Sequence, residues 1–168
     1  LPRPDHVESL MVEDGVLDAL SEKQIWVDLT TNRRDTLLAW SAETPASVVD
    51  CPVTGAVDGA RNGKLTLFAG GETEVLDRVE PVLSHLGRVI RCGALGTGTV
   101  TKLVTNQLWF IHAAALGEGF ALGMRYGVEL ETLWDAIKDS VADSFVARHD
   151  APSIFAGHYD PSFPLDLC

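Results

Sequence analysis

One segment limits what this chain can fold into more than any other. From Thr97 to about Tyr126 the residues follow a helical period, and around 108–116 they are apolar on nearly every side. A run of that length is no strand. A helix apolar all round is covered on most sides, by its own domain or by another subunit. It is not a membrane span, because the longest apolar stretch, Leu108–Leu116, is too short and contains His112. No signal peptide is visible.

The pattern before this segment is different. "EDGVLDAL" (13–20) predicts a short helix, "QIWVDLTT" (24–31) a strand, "DTLLAWSAET" (35–44) a helix and "SVVDCPVTG" (47–55) a strand broken by Gly55. Lys64–Ala69 predicts a strand between the turn pairs Asn62-Gly63 and Gly70-Gly71. Residues 73–87 predict a helix that Pro81 should bend or interrupt, and "VIRCG" (89–93) a last short strand. Strands alternating with helices indicate a parallel α/β sheet. After the long helix, "ELETLWDAIKDS" (129–140) predicts another amphipathic helix. The period changes near residue 95, so an α/β domain over 1–95 and an all-α domain over 96–168 are expected.

Apolar residues make up 46 % of the 168, enough for a core, and the formal net charge is −11. That acidity argues against nucleic acid or an anionic membrane as partner. Cys51, Cys92 and Cys168 are far apart, odd in number and lack metal-type spacing, which points to a reducing, cytoplasmic setting. The chain opens "LPRPD" without a methionine and stops at "FPLDLC", so a fragment of a longer chain is expected.

The chemistry concentrates in "GTGTVTKLVTN" (96–106). Lys102 has two readings. It is a helix-end lysine whose stem runs along apolar surface to solvent, or it is a functional amine. The second gains from Asn106 at i+4 on the same face, and from Gly93, Gly96 and Gly98, which let the backbone approach a ligand closely. Desolvation lowers a lysine pKa and makes it a usable proton donor and acceptor near neutral pH. "DCPVTGA" (50–56) is a strand end whose successive amides could cradle a carboxylate, or simply a strand-terminal turn. "VDLTTN" (27–32) is a second strand end in hydroxyls, with Asp28 and Thr30 placed to cap a turn. Other motifs fail. "GALGTGTVTK" lacks the lysine straight after the second glycine that a phosphate loop needs, and no G-x-S-x-G occurs. The five histidines show no ligand spacing, so no metal site is expected.

Taken together, "DLTT" (28–31), "DCPVTGA" (50–56), "GKLTLFAGG" (63–71) and "GTGTVTKLVTN" (96–106) resemble the β-hydroxyacid dehydrogenase family in order and spacing. That family, in the superfamily of 6-phosphogluconate dehydrogenase, includes 3-hydroxyisobutyrate dehydrogenase and tartronate semialdehyde reductase. The resemblance implies the C-terminal part of a Rossmann-like nucleotide-binding domain followed by an all-α domain opened by a long helix. It implies hydride transfer between NAD or NADP and a small 3-hydroxy acid or its semialdehyde, in a homodimer or homotetramer. Lys102 would be the general acid/base and Asn106 would orient the substrate. Thr54, Gly55 and Ala56 would bind its carboxylate. Leu1, Pro2 and Thr31 would lie against the nicotinamide half of the cofactor, with Phe163 approaching the same pocket. Thr54, Ala56 and Thr105 depart from the family's serine, second glycine and first asparagine. The family's opening G-x-G-x-x-G loop, and the Lys-Asp pair that would follow Cys168, are not among the 168 residues. The alternative is a catalytically incomplete fragment or truncated paralogue that serves as a dimerising interaction module.

Overall fold

The computed structural model describes Leu1 and residues 3–158. It divides within the long helix into two compact units, one through Val104 and one from Thr105 onward.

The first unit is built on five strands. β1 (Ile25–Asp28) pairs in parallel with β2 (Ser47–Asp50), and the intervening chain carries helix α3 (Arg34–Glu43). β3 (Val53–Thr54) continues the line of β2. Asp50 pairs with Gly70, Val53 with Leu67 and Thr54 with Thr66, so one register runs through both strands against β4 (Leu65–Gly70). Pro52 separates them because it offers no N–H to a ladder, yet its carbonyl still accepts from the Phe68 amide at 2.9 Å. β5 (Gly87–Gly93) is parallel to β4.

The sheet is therefore mixed, not wholly parallel as the alternating pattern predicts: β4 is antiparallel to β2 and β3. The physical reason is the connection. Only residues 55–64, holding the short helix α4 (Ala56–Arg61), separate β3 from β4. A parallel return needs a crossover of about a dozen residues or more.

Helix α5 (Thr73–Leu83) runs through Pro81 and ends two residues beyond it, so the proline falls in the last turn and not at a break. Its Val75, Leu76 and Leu83 join Val49, Cys51, Leu65, Leu67 and Ala69 in the main core. A second cluster holds Val7, Met11, Leu17 and Trp40. It draws on α1 (Pro4–Glu8), a π-helical turn (Ser9–Glu13) and α2 (Val16–Ala19); α2 is the short helix within the expected span 13–20, and the two elements before it are not among those expected.

Helix α6 (Thr97–Arg125) is continuous across both units. In the second unit it is followed by α7 (Leu130–Lys138), a π-helical turn (Val146–Asp150) and α8 (Ala151–Phe155). The Trp109 indole donates to Asp150 at 2.8 Å and the Trp134 indole to the Ala147 carbonyl at 2.6 Å. The Phe155 ring meets Phe120 and Trp134 edge-on. Among the described residues the middle of α6 is left open: Leu108 is 48 % and Ile111 51 % exposed. No helix among the described residues is long and apolar enough to cross a membrane.

Candidate active site

The carboxyl end of β1 forms a closed turn. One oxygen of buried Asp28 accepts from the Thr30 amide at 2.9 Å, and the other from the Asn32 side chain at 3.0 Å. Leu1 lies beside this turn, its backbone nitrogen 3.0 Å from Thr30 Oγ1, at the strand end that carries Thr31. Thr31 itself is half-buried. Asp and Thr at a strand end behave here as turn-closing residues do, satisfying amides that the ladder no longer reaches.

The end of β2 does something the residue pattern does not reveal. Asp50 is 1 % exposed. Its two carboxylate oxygens accept from the Gly96 amide at 2.7 Å and the Thr99 amide at 2.5 Å, at the start of α6. The first amides of a helix have no partner within it, and its amino end carries partial positive charge. A buried carboxylate there satisfies both needs.

Two glycines make this approach possible. A Cβ on Gly70 would collide with Asp50 Oδ1, with the Ala94 carbonyl and with the Gly98 amide. A Cβ on Gly98 would collide with the Phe68 carbonyl oxygen. The β4–β5 register also slips between Ala69 and Gly70, so that Cys92 is passed over and Gly70 faces Gly93. Such a bulge re-aims the chain that leaves the sheet, and here that chain leads into α6.

Lys102 follows one turn later and is 9 % exposed. Burial holds its ammonium below the ordinary lysine range. Thr99, three residues earlier on the same face, is 1 % exposed. Its hydroxyl has no hydrogen-bond partner among the described residues. Asn106 lies one further turn along α6 and is half-buried. Gly98, Thr99 and Lys102 are the buried residues of α6, and all three fall in its first two turns.

Thr54, Gly55 and Ala56 stand at the end of β3 and the start of α4, all exposed. Gly55 has φ +125° and Ala56 has φ +51°. An alanine in the left-handed region is strained, so the surrounding turn holds it there. Pro2 and Phe163 lie outside the described residues. Cys51 is fully buried, and burial pushes its thiol up to about 12, so it is no nucleophile.

Residues 1–96 match the family model described as the NAD binding domain of 6-phosphogluconate dehydrogenase. Residues 96–168 match the model described as NAD-binding of NADP-dependent 3-hydroxyisobutyrate dehydrogenase. The chain is 35 % identical over 145 residues to 3-hydroxyisobutyrate dehydrogenase of Pseudomonas aeruginosa, covering 83 % of this chain and 49 % of that one. It is 31 % identical over 173 residues to 2-(hydroxymethyl)glutarate dehydrogenase of Eubacterium barkeri, covering 99 % and 58 %. Among solved structures, 3-hydroxyisobutyrate dehydrogenase of Mycobacterium tuberculosis with L-serine superposes with a TM-score of 0.80 at 27 % identity, over 89 % of this chain and 52 % of that one. The fold is thus that of a Rossmann-like domain leading into a long helix. The chain belongs to the β-hydroxyacid dehydrogenase family. It spans about half the length of the curated relatives it matches.

Proposed function

We propose that the whole protein oxidises a small 3-hydroxy acid to its semialdehyde or 3-oxo acid, and runs the reverse reduction, with NAD or NADP. The observation that carries this reading is Lys102. It is a buried amine whose pKa is lowered by burial, in a chain matched end to end by NAD-binding family models.

In oxidation, neutral Lys102 takes the hydroxyl proton as the C–H bond at the same carbon gives up its hydride. In reduction, the protonated amine donates to the forming alkoxide. Bound nicotinamide supplies the hydride acceptor or donor. Asn106 orients the reacting oxygen without competing for the proton. Thr54, Gly55 and Ala56 hold the substrate carboxylate, so that the hydroxyl-bearing carbon is presented in a fixed pose. Leu1, Pro2, Thr31 and Phe163 line the nicotinamide side. The hydroxyls at the end of β1, held in shape by Asp28, are a donor set that suits this amide-bearing ring. The substrate carboxylate favours the charged lysine and offsets part of the desolvation.

On this reading residues 1–95 are part of the cofactor-binding domain and 96–168 part of a helical domain. The assembly is a homodimer or homotetramer, and the setting is the cytoplasm.

Replacing Lys102 with Ala in the whole protein is expected to cut turnover by ~10²–10⁴, the usual scale for general acid–base catalysis. Lys102→Arg does not restore it, because guanidinium keeps its proton near neutral pH. Steady-state rates with a panel of small 3-hydroxy acids and both cofactors decide the matter. Near-normal turnover in Lys102→Ala removes the reading.

A further inference from the structure

Lys102 is the group on which the proposed chemistry turns, and the helix that carries it is anchored from another element. It sits one turn inside α6, and the first turn of that helix is fastened to the sheet by Asp50. We infer that Asp50 is a positioning residue for the proton-transfer step, acting by holding the start of α6 so that the Lys102 amine stays withdrawn from water in its working place. This inference rests on the acid/base reading of Lys102.

The argument starts from cost. Burying an amine disfavours its charged form and pulls the side chain toward solvent. Lys102 is 9 % exposed, and the helix that carries it is fixed at its start. The fixing contacts are few and specific. Asp50 accepts from the amides of Gly96 and Thr99, which precede Lys102 by six and three residues. The Gly98 backbone lies against the carbonyls of Phe68 and Asp50, with no room for a side chain. Gly70 leaves the space through which the carboxylate reaches.

Removing the carboxylate leaves two helix amides in a dry site without partners, a costly state for a buried donor. The helix start then moves or admits water. Burial lowers the Lys102 pKa, and how deeply the amine is buried follows from where the helix start is held. Position is what Asp50 controls.

The test uses the whole protein and the variant Asp50→Asn, which keeps the volume but presents an amide group to one of the two helix amides. Turnover in the oxidative direction is expected to fall ~10–10²-fold, the scale on which small misplacements act. KM and NAD(P)H affinity should stay close to the parent values. The alkaline-rising limb of the pH–rate profile should move to higher pH as Lys102 regains solvent. In a Lys102→Ala background the same substitution should leave turnover unchanged, because there is no amine left to misplace. If Asp50→Asn folds poorly, Asp50→Glu carries the same expectation, since the longer side chain displaces the carboxylate from the helix start.

A folded Asp50 variant that binds NAD(P)H with parental turnover and an unmoved limb overturns the inference. So does an equal loss in both backgrounds, which would mark a general structural role. Parental turnover in Lys102→Ala with Asp50 intact sinks the acid/base reading itself, and the inference with it. A crippled Lys102→Ala beside an unaffected Asp50→Asn sinks only the positioning role.

Discussion

The two stretches of α6 obey different rules although they form one continuous helix. Its start is dry and crowded. Gly98 and Thr99 are essentially without exposure, two amides are held by a buried carboxylate, and a methyl group at residue 98 would strike the Phe68 carbonyl. Its middle is richer in apolar side chains and yet open. Leu108 and Ile111 are about half exposed, and a Cβ at Gly117 or Gly119 would meet nothing within 4 Å. Apolar composition therefore does not locate the rigid part of this helix. Backbone-to-backbone approach does, and that approach occurs where the proposed acid/base lysine is mounted.

The contrast breaks most visibly at Gly98. Gly98→Ala must push the Phe68 carbonyl or the helix start aside, and both are backbone. Overpacking of this kind costs ~3 kcal/mol, and more where nothing can yield. Chemical denaturation should record the loss. Turnover should fall with it, as Lys102 shifts along with the first turn. A variant of parental stability would mean that the close approach is looser than the geometry requires.

A smaller effect of opposite sign is expected at Lys102 itself. Its folded-state pKa lies below its unfolded one. Between those two values the unfolded chain binds more protons, so stability rises with pH across that window and is reduced below it. Lys102→Met removes the penalty. It should stabilise the protein at neutral pH while abolishing proton transfer, and the advantage should shrink as the pH is raised toward the ordinary lysine range. Denaturation midpoints at neutral and alkaline pH check both the sign and the trend. This trade, a gain in stability from the loss of a functional group, is expected where a site keeps a strained or desolvated residue for its chemistry.

These features differ in how far the residue pattern foretells them. The strands over 24–31 and 64–69 and the helices over 35–44, 97–126 and 129–140 appear within a few residues of their expected places. Their periods are set by which face is buried, and that is written in local composition. Helices α1 and α4, with five and six residues, escape because they are too short to show a period. The strand directions escape because antiparallel pairing of β4 depends on the length of the link before it, not on the strand's own residues. Lys102 stands out as a single cation leading into an apolar helix. Asp50 stands in an equally odd place, one acid in the apolar strand "SVVDCPV". Its role stays hidden because nothing in its own neighbourhood says that Gly96 and Thr99, some fifty residues on, will present amides to it. The strain at Ala56 is equally hidden, since a positive φ belongs to the turn and not to the residue.

The smallest effect probes the open stretch of α6. Gly117 is exposed, and a methyl group added to it would meet nothing within 4 Å. Glycine within a helix costs ~1 kcal/mol relative to alanine, because it gives up more backbone freedom on folding. Gly117→Ala should therefore raise stability by ~0.5–1 kcal/mol in a chain whose helix is as open there as this one, and leave turnover untouched. The same substitution in the whole protein makes the comparison sharper. If the gain persists, the middle of α6 is open in the assembly, or covered with room to spare. If it turns into a loss, another surface approaches the helix backbone at Gly117 as closely as the Phe68 carbonyl does at Gly98. The two ends of the contrast would then follow one rule, with glycine marking close backbone approach at both, inside the sheet-bound unit at residue 98 and against a partner surface at residue 117.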